Sequence, residues 1–402
     1  MNFLPYGRQH VSDEDKQAVL RVLESDWLTQ GPTIPAFEQK LAQTLRASEA
    51  VACASGTAAL HLAMLAAGLT DTDEVVTTPI SFLASANCAR YVGAEVRFAD
   101  IDGATGLMDP DSLGRVLETD CERKIRVVIP VHFAGQPVDL ARIHALAKAH
   151  GALVVDDACH ALGAEYEYDD QLYRLGGSSH ADMTVFSFHP VKHVAMGEGG
   201  AVTTADVELA ARLRRLRNHG MQKEDFAQPE MSLSPEGNVS PWYYEMRELG
   251  FNYRLTDIQA ALGTSQLKRL PWSLERRSHI AALYRRLISN SFKDEAVRPL
   301  MVLPGRTHAY HLFVLQIDFE RFGVSRAAVM NRLKEAGIGT QVHYIPIHLQ
   351  PYYRSRYGTA PGDFPQAEKY YAKALSLPMY PDLTEHDIER VVGALKKALV
   401  AG

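Results

Sequence analysis

The stretch Leu153-Val154-Val155-Asp156-Asp157-Ala158-Cys159-His160 is an apolar run that ends in two carboxylates and, three residues later, a histidine. A short β-branched run of this kind, preceded by a helix-like stretch, predicts a buried strand of an α/β sheet. In open α/β sheets, ligands bind beyond the carboxyl ends of the strands. Asp156 and Asp157 are therefore candidates for holding a ligand, for example its protonated ring nitrogen. Helix capping is the alternative for both acids, and a structural role is the alternative for His160.

The same pattern repeats along the first 205 residues. Short β-branched runs at 51–53, 74–78, 96–98, 127–129, 153–155, 185–187 and 200–203 alternate with helix-like stretches at 58–68, 81–91, 110–117 and 140–150. This alternation predicts an α/β domain with a mostly parallel sheet. Two further helices are predicted before the sheet, at 13–25 and 35–46.

The alternation stops at residues 222–247, which contain Pro229, Pro235 and Pro241 and are interpreted as a long loop. A helix-rich stretch at 256–290 then leads to a smaller unit. That unit has predicted strands at 310–317 and 340–343 and predicted helices at 326–336 and from Glu385 onward. We therefore expect a large domain over residues 1–255, which includes the N-terminal helices and loop 222–247. A connecting helix and a small C-terminal domain are expected over residues 256–402.

Composition excludes several classes of protein. The chain has 402 residues, of which 46% are hydrophobic and 22% charged, and this balance is ordinary for a globular protein. A net charge of −6 disfavours a nucleic-acid or anionic-membrane surface. The four cysteines form no C-x-x-C pair, and no metal site is expected. The longest apolar stretch, at 58–69, has about 12 residues where a membrane span needs about 20, so we expect a soluble cytoplasmic protein.

The glycine-rich nucleotide-binding motifs are absent from the sequence. Gly197, Gly199 and Gly200 do not have the G-x-G-x-x-G spacing, and they precede a predicted strand rather than a helix. No G-x-x-x-x-G-K-[ST] motif occurs either. A dinucleotide-dependent dehydrogenase or a P-loop ATPase is therefore disfavoured.

A second motif, Ala54-Ser55-Gly56-Thr57-Ala58-Ala59-Leu60, lies at a predicted junction between a strand and a helix. Gly56 permits close approach of the backbone to a ligand, and Thr57 places a hydroxyl beside the free amides of a helix start. Together these features predict a cradle for an anion. A simple helix cap is the alternative.

A third motif, Phe186-Ser187-Phe188-His189-Pro190-Val191-Lys192, is followed by a glycine-rich return that ends at Gly200. A lone lysine is usually solvated, but Lys192 has apolar and aromatic neighbours. Desolvation lowers the pKa of an amine, as a lysine that condenses with a carbonyl group requires. A fourth motif, Gly250-Phe251-Asn252-Tyr253-Arg254-Leu255-Thr256-Asp257, precedes a helix of small and apolar residues.

In this order and spacing, the four motifs resemble the DegT/DnrJ/EryC1/StrS family of sugar aminotransferases. The resemblance runs from Leu28-Thr29-Gln30-Gly31 to Leu375-Ser376-Leu377-Pro378. It implies a fold-type-I transferase that depends on pyridoxal 5′-phosphate (PLP), with an α/β large domain and a smaller C-terminal α+β domain. It also implies transfer of an amino group from L-glutamate, which leaves as 2-oxoglutarate, to a nucleotide-linked keto sugar.

The resemblance further implies how the cofactor is held. Lys192 would carry PLP covalently and move a proton between substrate and cofactor, and Asp157 would face the pyridine nitrogen. Phe82 would stack on the pyridine ring, with a place in the core as the alternative. The other implied cofactor contacts are His160 near the ring oxygen and Gly56, Thr57 and Ser187 at the phosphate.

Asn252 matches a family position that reaches the phosphate or substrate of the neighbouring subunit. The resemblance therefore implies a homodimer with two shared active sites. Arg254 is a candidate partner for the substrate diphosphate, because guanidinium geometry suits phosphate. The remaining substrate contacts implied by the resemblance are Tyr6, Trp27, Leu28, Thr29, Gln341, Val342, His343 and Tyr344.

Within the family, the strings at 77–82, 188–192 and 341–347 most resemble enzymes of pseudaminic acid biosynthesis. Those enzymes aminate C4 of a UDP-4-keto-6-deoxy-2-acetamido sugar of the L-arabino configuration. Enzymes of the 4-amino-arabinose, bacillosamine and perosamine types stay alternatives. A family dehydratase has a histidine in place of the lysine, which Lys192 disfavours, and a non-catalytic regulator would normally need an added DNA-binding segment.

Overall fold

The computed structural model describes residues 2–293 and 295–400. The helices are α1 (Asp13–Leu23), α2 (Thr33–Leu45), α3 (Gly56–Ala66), α4 (Ala84–Tyr91), α5 (Pro110–Glu118), α6 (Leu140–His150), α7 (Val207–Leu216), α8 (Asp257–Lys268), α9 (Leu270–Ser291), α10 (Arg326–Glu335), α11 (Pro351–Tyr357), α12 (Pro365–Lys373) and α13 (Glu385–Val400). Within the described residues, none of these helices combines the length and the apolar character needed to cross a bilayer.

The strands are β1 (Glu49–Cys53), β2 (Glu74–Thr77), β3 (Glu95–Phe98), β4 (Ile125–Ile129), β5 (Leu153–Asp157), β6 (Glu165–Tyr168), β7 (Gln171–Arg174), β8 (Met183–Ser187), β9 (Gly200–Thr204), β10 (Met221–Gln222), β11 (Glu245–Met246), β12 (Val297–Pro299), β13 (Arg306–Thr307), β14 (Phe313–Ile317) and β15 (Ala374–Leu377). In the described part of the chain, a seven-stranded sheet has the order β1-β9-β8-β5-β4-β2-β3. Strands β3, β2, β4, β5 and β8 are parallel, and β9 is antiparallel to both β8 and β1. The carboxyl ends of β1, β2, β5 and β8 therefore lie at one edge, and the predicted mostly parallel α/β sheet is confirmed.

Alternate residues of the central strands enter two separate apolar layers. Val128 and Val154 pack in a core with α2, α5, α6 and α8, whereas Val127 and Val155 pack on the opposite face with α3, α4 and α7. Because both faces are covered, these strands are apolar along their whole length rather than alternating. This coverage explains why β-branched runs in the sequence identify them.

The C-terminal unit has a core of its own. Strands β12, β14 and β15 form an antiparallel sheet that packs with α9, α10 and α13. Leu4 belongs to the same core and pairs with Ile338, so the start of the chain joins this unit. The connection is two helices, α8 and α9, and α8 packs against α1 and α2. The predicted boundary after residue 255 stays a prediction.

Several elements differ from the sequence-based expectations. The strand predicted at 340–343 is wrong, because only Gln341 forms a bridge there, with Ser376 of β15. Strand β15 and the hairpin β6–β7 were not predicted. Residues 222–247 form a long loop whose two ends are held together by the pairing of β10 with β11. The loop contains one 3-10 turn, at Pro229–Ser232.

Candidate active site

A cavity of about 790 Å³ opens at the carboxyl edge of the central sheet. Its walls come from the residues that follow β1, β2, β5 and β8, and from a segment of the C-terminal unit. The predicted site residues that line it are Tyr6, Gly56, Thr57, Phe82, Asp157, His160, Ser187, Lys192, Gln341, Val342, His343 and Tyr344. The structure therefore brings these residues into one cavity, while their chemical roles stay predictions.

The two acids at the end of β5 point in opposite directions. Asp157 lines the cavity, where its Oδ2 accepts a hydrogen bond from Ser85 Oγ at 2.6 Å and its Oδ1 accepts one from the Cys159 amide at 3.1 Å. Asp156 is fully buried and pairs with Nε2 of His132. The Val138 amide donates to His132 Nδ1 at 3.0 Å, so the ring proton lies on Nε2 and faces Asp156. Asp157, rather than Asp156, is thus available to a ligand.

Lys192 lies on the loop between β8 and β9, close to Asp157. The loop folds back on itself, since Phe188 and Gly199 pair through their backbones and the Lys192 amide donates to the His189 carbonyl at 2.8 Å. Burial lowers the pKa of the Lys192 amine below its ordinary value, and the neighbouring Cys159 and Asp157 act in the opposite direction. The interpretation as a desolvated lysine is therefore supported over that of a solvated surface residue.

The start of α3 forms a small concave surface. Ser55 caps the helix, because its Oγ accepts a hydrogen bond from the Ala58 amide at 3.1 Å, so the capping alternative holds for this residue. A Cβ added to Gly56 would lie 2.8 Å from the Cβ of Ser187. Only a glycine therefore leaves this helix start open beside Ser187. The arrangement has the features of an anion site, with free helix amides and two hydroxyl groups, those of Thr57 and Ser187, around it.

Aromatic and imidazole rings form the opposite wall. Phe82 is 57% exposed, so the core alternative for this residue is wrong. Its ring lies 6.2 Å from that of Tyr344, whose hydroxyl is 3.2 Å from Nε2 of His160. Burial lowers the pKa of His160 well below the ordinary value and raises that of Tyr344, so both groups are neutral near pH 7.

The remaining predicted residues lie elsewhere in this chain. Trp27, Leu28 and Thr29 are exposed, and Thr29 forms a bridge with Thr256. Asn252 is also exposed, and Arg254 donates to Asn218 Oδ1 at 2.7 Å in a second cavity of about 270 Å³. Within the described chain, none of these five residues lines the Lys192 cavity.

Sequence reasoning missed other residues of the cavity wall, among them Ser55, Ser81, Ser85, Cys159, His189, Glu198 and His311. Ser55, Cys159, His189 and Glu198 lie inside or beside the quoted motifs, so proximity to those motifs was a usable signal. His311 comes from the C-terminal unit, and its ring centroid lies 4.4 Å from that of His160, with the two rings tilted by 47°. Only the tertiary fold brings these two histidines together, and no local pattern indicates the contact.

An α/β sheet that presents a lysine, a carboxylate and an anion site at its carboxyl edge defines a class of cofactor-dependent transferase. PLP has a phosphate, a ring nitrogen that can be protonated and an aldehyde, and the residues around Gly56, Asp157 and Lys192 fit these three groups. The chain belongs to the DegT/DnrJ/EryC1/StrS aminotransferase family, which matches residues 9–396. It is therefore a PLP-dependent sugar aminotransferase, and the expected enzyme class is confirmed.

Comparison with known proteins supports this membership over the whole chain. The chain is 41% identical to the spore coat polysaccharide biosynthesis protein SpsC of Bacillus subtilis (strain 168), over 98% of this chain and 97% of SpsC. Its structure is similar to that of Helicobacter pylori PseC, an aminotransferase involved in the biosynthesis of pseudoaminic acid, with a TM-score of 0.87, 32% identity and coverage of 100% of both chains. The PLP form of Spr1654 from Streptococcus pneumoniae matches with a TM-score of 0.85 and 26% identity, over 99% of this chain and 98% of that one. The expected fold-type-I architecture is confirmed by these matches.

Proposed function

We propose that the protein transfers an amino group from L-glutamate to C4 of UDP-4-keto-6-deoxy-2-acetamido-L-arabino-hexose, as a step of pseudaminic acid biosynthesis. The observation that carries the proposal is the meeting of Lys192 and Asp157 with Tyr6 and the segment 341–344 in one cavity. The similarity to PseC, which extends over both entire chains, supports this choice of sugar.

The groups around the cavity have different roles in amino transfer. PLP, when bound, supplies the electron sink that makes proton removal beside nitrogen feasible. The Lys192 amine, whose pKa burial lowers, takes up and returns a proton at the substrate carbon. The Asp157 carboxylate would hold a proton at the pyridine nitrogen, and the amides at the start of α3 would hold the phosphate.

Neutral polar groups select the sugar. Burial lowers the pKa of His343 to about 3, and its Nδ1 lies 2.8 Å from Ser376 Oγ, so this ring is neutral and fixed in orientation. Tyr344 keeps its proton because burial raises its pKa. Such groups favour a polyhydroxy sugar with an acetamido substituent, because a substrate that leaves buried polar groups unpaired binds more weakly.

The active form in this proposal is a cytoplasmic homodimer with two shared sites. Asn252 and Arg254 lie outside the Lys192 cavity of their own chain, although the family resemblance implies that Asn252 reaches the phosphate or substrate of the neighbouring subunit. A second copy that presents its Asn252 and Arg254 to this cavity reconciles this position with the implied contact. The proposal involves no nucleic-acid partner and no membrane partner.

A second candidate is amination of a different nucleotide-linked 4-keto sugar. The observation that favours it is the 41% identity to SpsC, whose name refers to spore coat polysaccharide, against 32% to PseC. Sugars of the 4-amino-arabinose, bacillosamine and perosamine types belong to this group. Dehydration is less favoured, because Lys192 occupies the position that carries histidine in family dehydratases.

Kinetics with a panel of UDP- and GDP-linked 4-keto sugars and L-glutamate test the proposal. We expect the highest kcat/KM for the L-arabino sugar, above its D-xylo epimer and the 4-keto pentose, with the C4 amine identified by NMR. Better use of either competitor would overturn the choice of sugar and leave the aminotransferase class intact. Lys192→Ala is the control, and it should retain the fold while losing turnover with every sugar.

A further inference from the structure

Two buried serines of the cavity wall form a hydrogen-bonded chain to Asp157. Ser81 Oγ lies 2.6 Å from Ser85 Oγ, and Ser85 Oγ lies 2.6 Å from Asp157 Oδ2. Both serines are buried, Ser85 completely. An ionised carboxylate only accepts hydrogen bonds, so Ser85 donates to Asp157. Ser81 must then donate to Ser85, which fixes the direction of the whole chain.

The surroundings of Asp157 make this hydrogen bond important. Its other oxygen, Oδ1, accepts from the Cys159 amide. The nearby thiols of Cys88 and Cys159 are neutral, because burial raises their pKa and the Asp157 charge adds to the effect. The Cys159 thiol keeps its proton and hydrogen-bonds to Asp157, but a thiol is a weaker donor than a hydroxyl or an amide. Ser85 and the Cys159 amide therefore supply the stronger hydrogen bonds that Asp157 accepts, one at each oxygen, and together they fix the plane of the carboxylate.

Ser85 is well placed to control the position of this carboxylate. It lies in the first turn of α4, on the chain that follows β2, whereas Asp157 ends β5. The hydrogen bond thus joins two separate walls of the cavity. Hydrogen bonds between a hydroxyl and a carboxylate at about 2.6 Å are among the stronger ones in proteins. A functional carboxylate needs its position held to within about 0.5 Å.

We propose that Ser85 is a positioning residue for amino transfer: through its hydroxyl it holds the Asp157 carboxylate in the position from which it would face the pyridine nitrogen. The inference rests on the proposed function, in which Asp157 faces that nitrogen. Ser85 acts through Asp157 and contributes no proton to the reaction. Its loss should therefore lower kcat more than it changes KM for the sugar.

The test is Ser85→Ala in the PLP-loaded enzyme, followed by NMR of nitrogen-15-labelled PLP. We expect the pyridine nitrogen signal to move toward its unprotonated position, kcat to fall about tenfold or more, and KM for the sugar to change less than about twofold. Ser85→Cys fills nearly the same space with a weaker donor and should give an intermediate shift. It also carries the test if Ser85→Ala does not fold.

Two controls separate the possible results. Ser112 of α5 is another buried serine, and its hydroxyl accepts a hydrogen bond from the Asp100 amide at 2.9 Å. Ser112→Ala removes this hydroxyl and should leave the nitrogen signal unchanged. Asp157→Asn should move the signal in the same direction as Ser85→Ala. A signal that moves in Asp157→Asn but stays unchanged in both Ser85 variants would overturn the role of Ser85 alone. A signal that moves in none of the variants would overturn the role of Asp157 itself.

Discussion

Adjacent residues at the end of β5 have different tasks because successive side chains of a strand point to opposite faces of the sheet. Asp156 points into the apolar layer, where His132 pairs with it, and Asp157 points to the cavity. The His132 backbone amide also donates to the Asp157 carbonyl at 3.0 Å. His132 thus contacts both acids, Asp156 through its ring and Asp157 through its backbone amide, and these two contacts fix the end of the strand.

Gly56 is a residue whose lack of a side chain is required by a specific contact. In Gly56→Ala the new Cβ would lie 2.8 Å from Ser187 Cβ and 3.1 Å from Ser187 Oγ, so the start of α3 and β8 would have to separate. We expect the affinity for PLP to fall at least about tenfold, because the anion site at this helix start is distorted. Titration of the apoenzyme with PLP, followed by absorbance, measures the change.

Gly114→Ala is the matched control for this substitution. Gly114 lies within α5, and a Cβ there would meet no atom within 4 Å. Alanine in an exposed helix is more favourable than glycine by up to about 1 kcal/mol, so this variant should bind PLP normally and melt at the same or a higher temperature. Equal PLP affinity in both variants would contradict the cradle assigned to Gly56.

At the scale of elements, α2 obtains its N-terminal cap from a different helix. Pro32 precedes α2 and provides no capping side chain. Asp257, the first residue of α8, accepts hydrogen bonds from the Gly31 amide at 2.7 Å and from the Thr33 amide at 2.9 Å. Asp257 is fully buried. This cap therefore links α2 to α8, the helix that leads into the C-terminal unit.

Asp257→Ala should destabilise the protein, because it leaves two amides of the α2 start without their acceptor. We expect a loss of about 2–4 kcal/mol and a fall of several degrees in the melting temperature. Differential scanning calorimetry at one fixed scan rate measures the effect. Asp111→Ala is the control. Asp111 is an exposed acid in the first turn of α5 that pairs with Arg142, and its removal should change the melting temperature by less than about one degree. Similar decreases in melting temperature in the two variants would contradict the role of Asp257 as the N-terminal cap of α2.

Elements that the sequence predicted well are those with a strong local pattern. The central strands are covered on both faces, so β-branched runs identified β4, β5 and β8. The hairpin β6–β7 is largely exposed and polar, and β15 is a short run directly after α12, so neither has such a pattern. The segment 340–343 is β-branched but pairs with β15 at only one residue.

The same distinction applies to the cavity. Residues at or after strand ends, such as Asp157 and Lys192, were predictable because parallel strands bring their carboxyl ends together. Ser85 and His311 were not, because their partners are 72 and 151 positions away in sequence. Contacts over such separations depend on how the helices and the C-terminal unit pack on the sheet.

At the scale of the whole molecule, the cavity is formed by both parts of the chain. The central sheet provides Asp157 and Lys192, and the C-terminal unit provides His311, His343 and Tyr344. The wall from the C-terminal unit is rich in buried histidine. Burial lowers the pKa of these imidazoles. The packing of the C-terminal unit on the central sheet therefore favours the neutral form of these rings and disfavours the protonated form.

The protein should therefore lose stability in mild acid. Burial lowers the pKa of His308 and His343 to about 3, and it lowers the pKa of His160, His193 and His311 well below 6.5. Above pH 6.5 these rings are neutral in both the folded and the unfolded chain. Below pH 6.5 the unfolded chain takes up protons that the folded chain does not, so stability falls toward the folded pKa values. Each such ring contributes up to about 1.4 kcal/mol per pH unit.

Melting temperatures of the apoprotein between pH 7.5 and 5.5 measure this effect. His308→Asn is the informative variant, because His308 lies outside the cavity wall and its Nδ1 accepts from the Tyr310 amide at 2.9 Å, which an asparagine oxygen can replace. Its melting temperature should fall less steeply with decreasing pH than that of the wild type. Parallel curves for the two proteins would contradict the assignment of His308 as a neutral buried ring.

The proposed function requires two chains to assemble around each active site. Each active site would combine Lys192 of one chain with Asn252 of its partner, since Asn252 is exposed and lies outside the cavity of its own chain. Lys192→Ala and Asn252→Ala homodimers should both be nearly inactive. In a mixed dimer, one site carries both substitutions and the other carries neither, so co-expression should restore about a quarter of the wild-type activity if chains pair at random. Size-exclusion chromatography with light scattering confirms that both variants are folded dimers before they are compared. If folded mixed dimers show no activity above that of the parent variants, the two residues act within one chain, and the shared site is wrong.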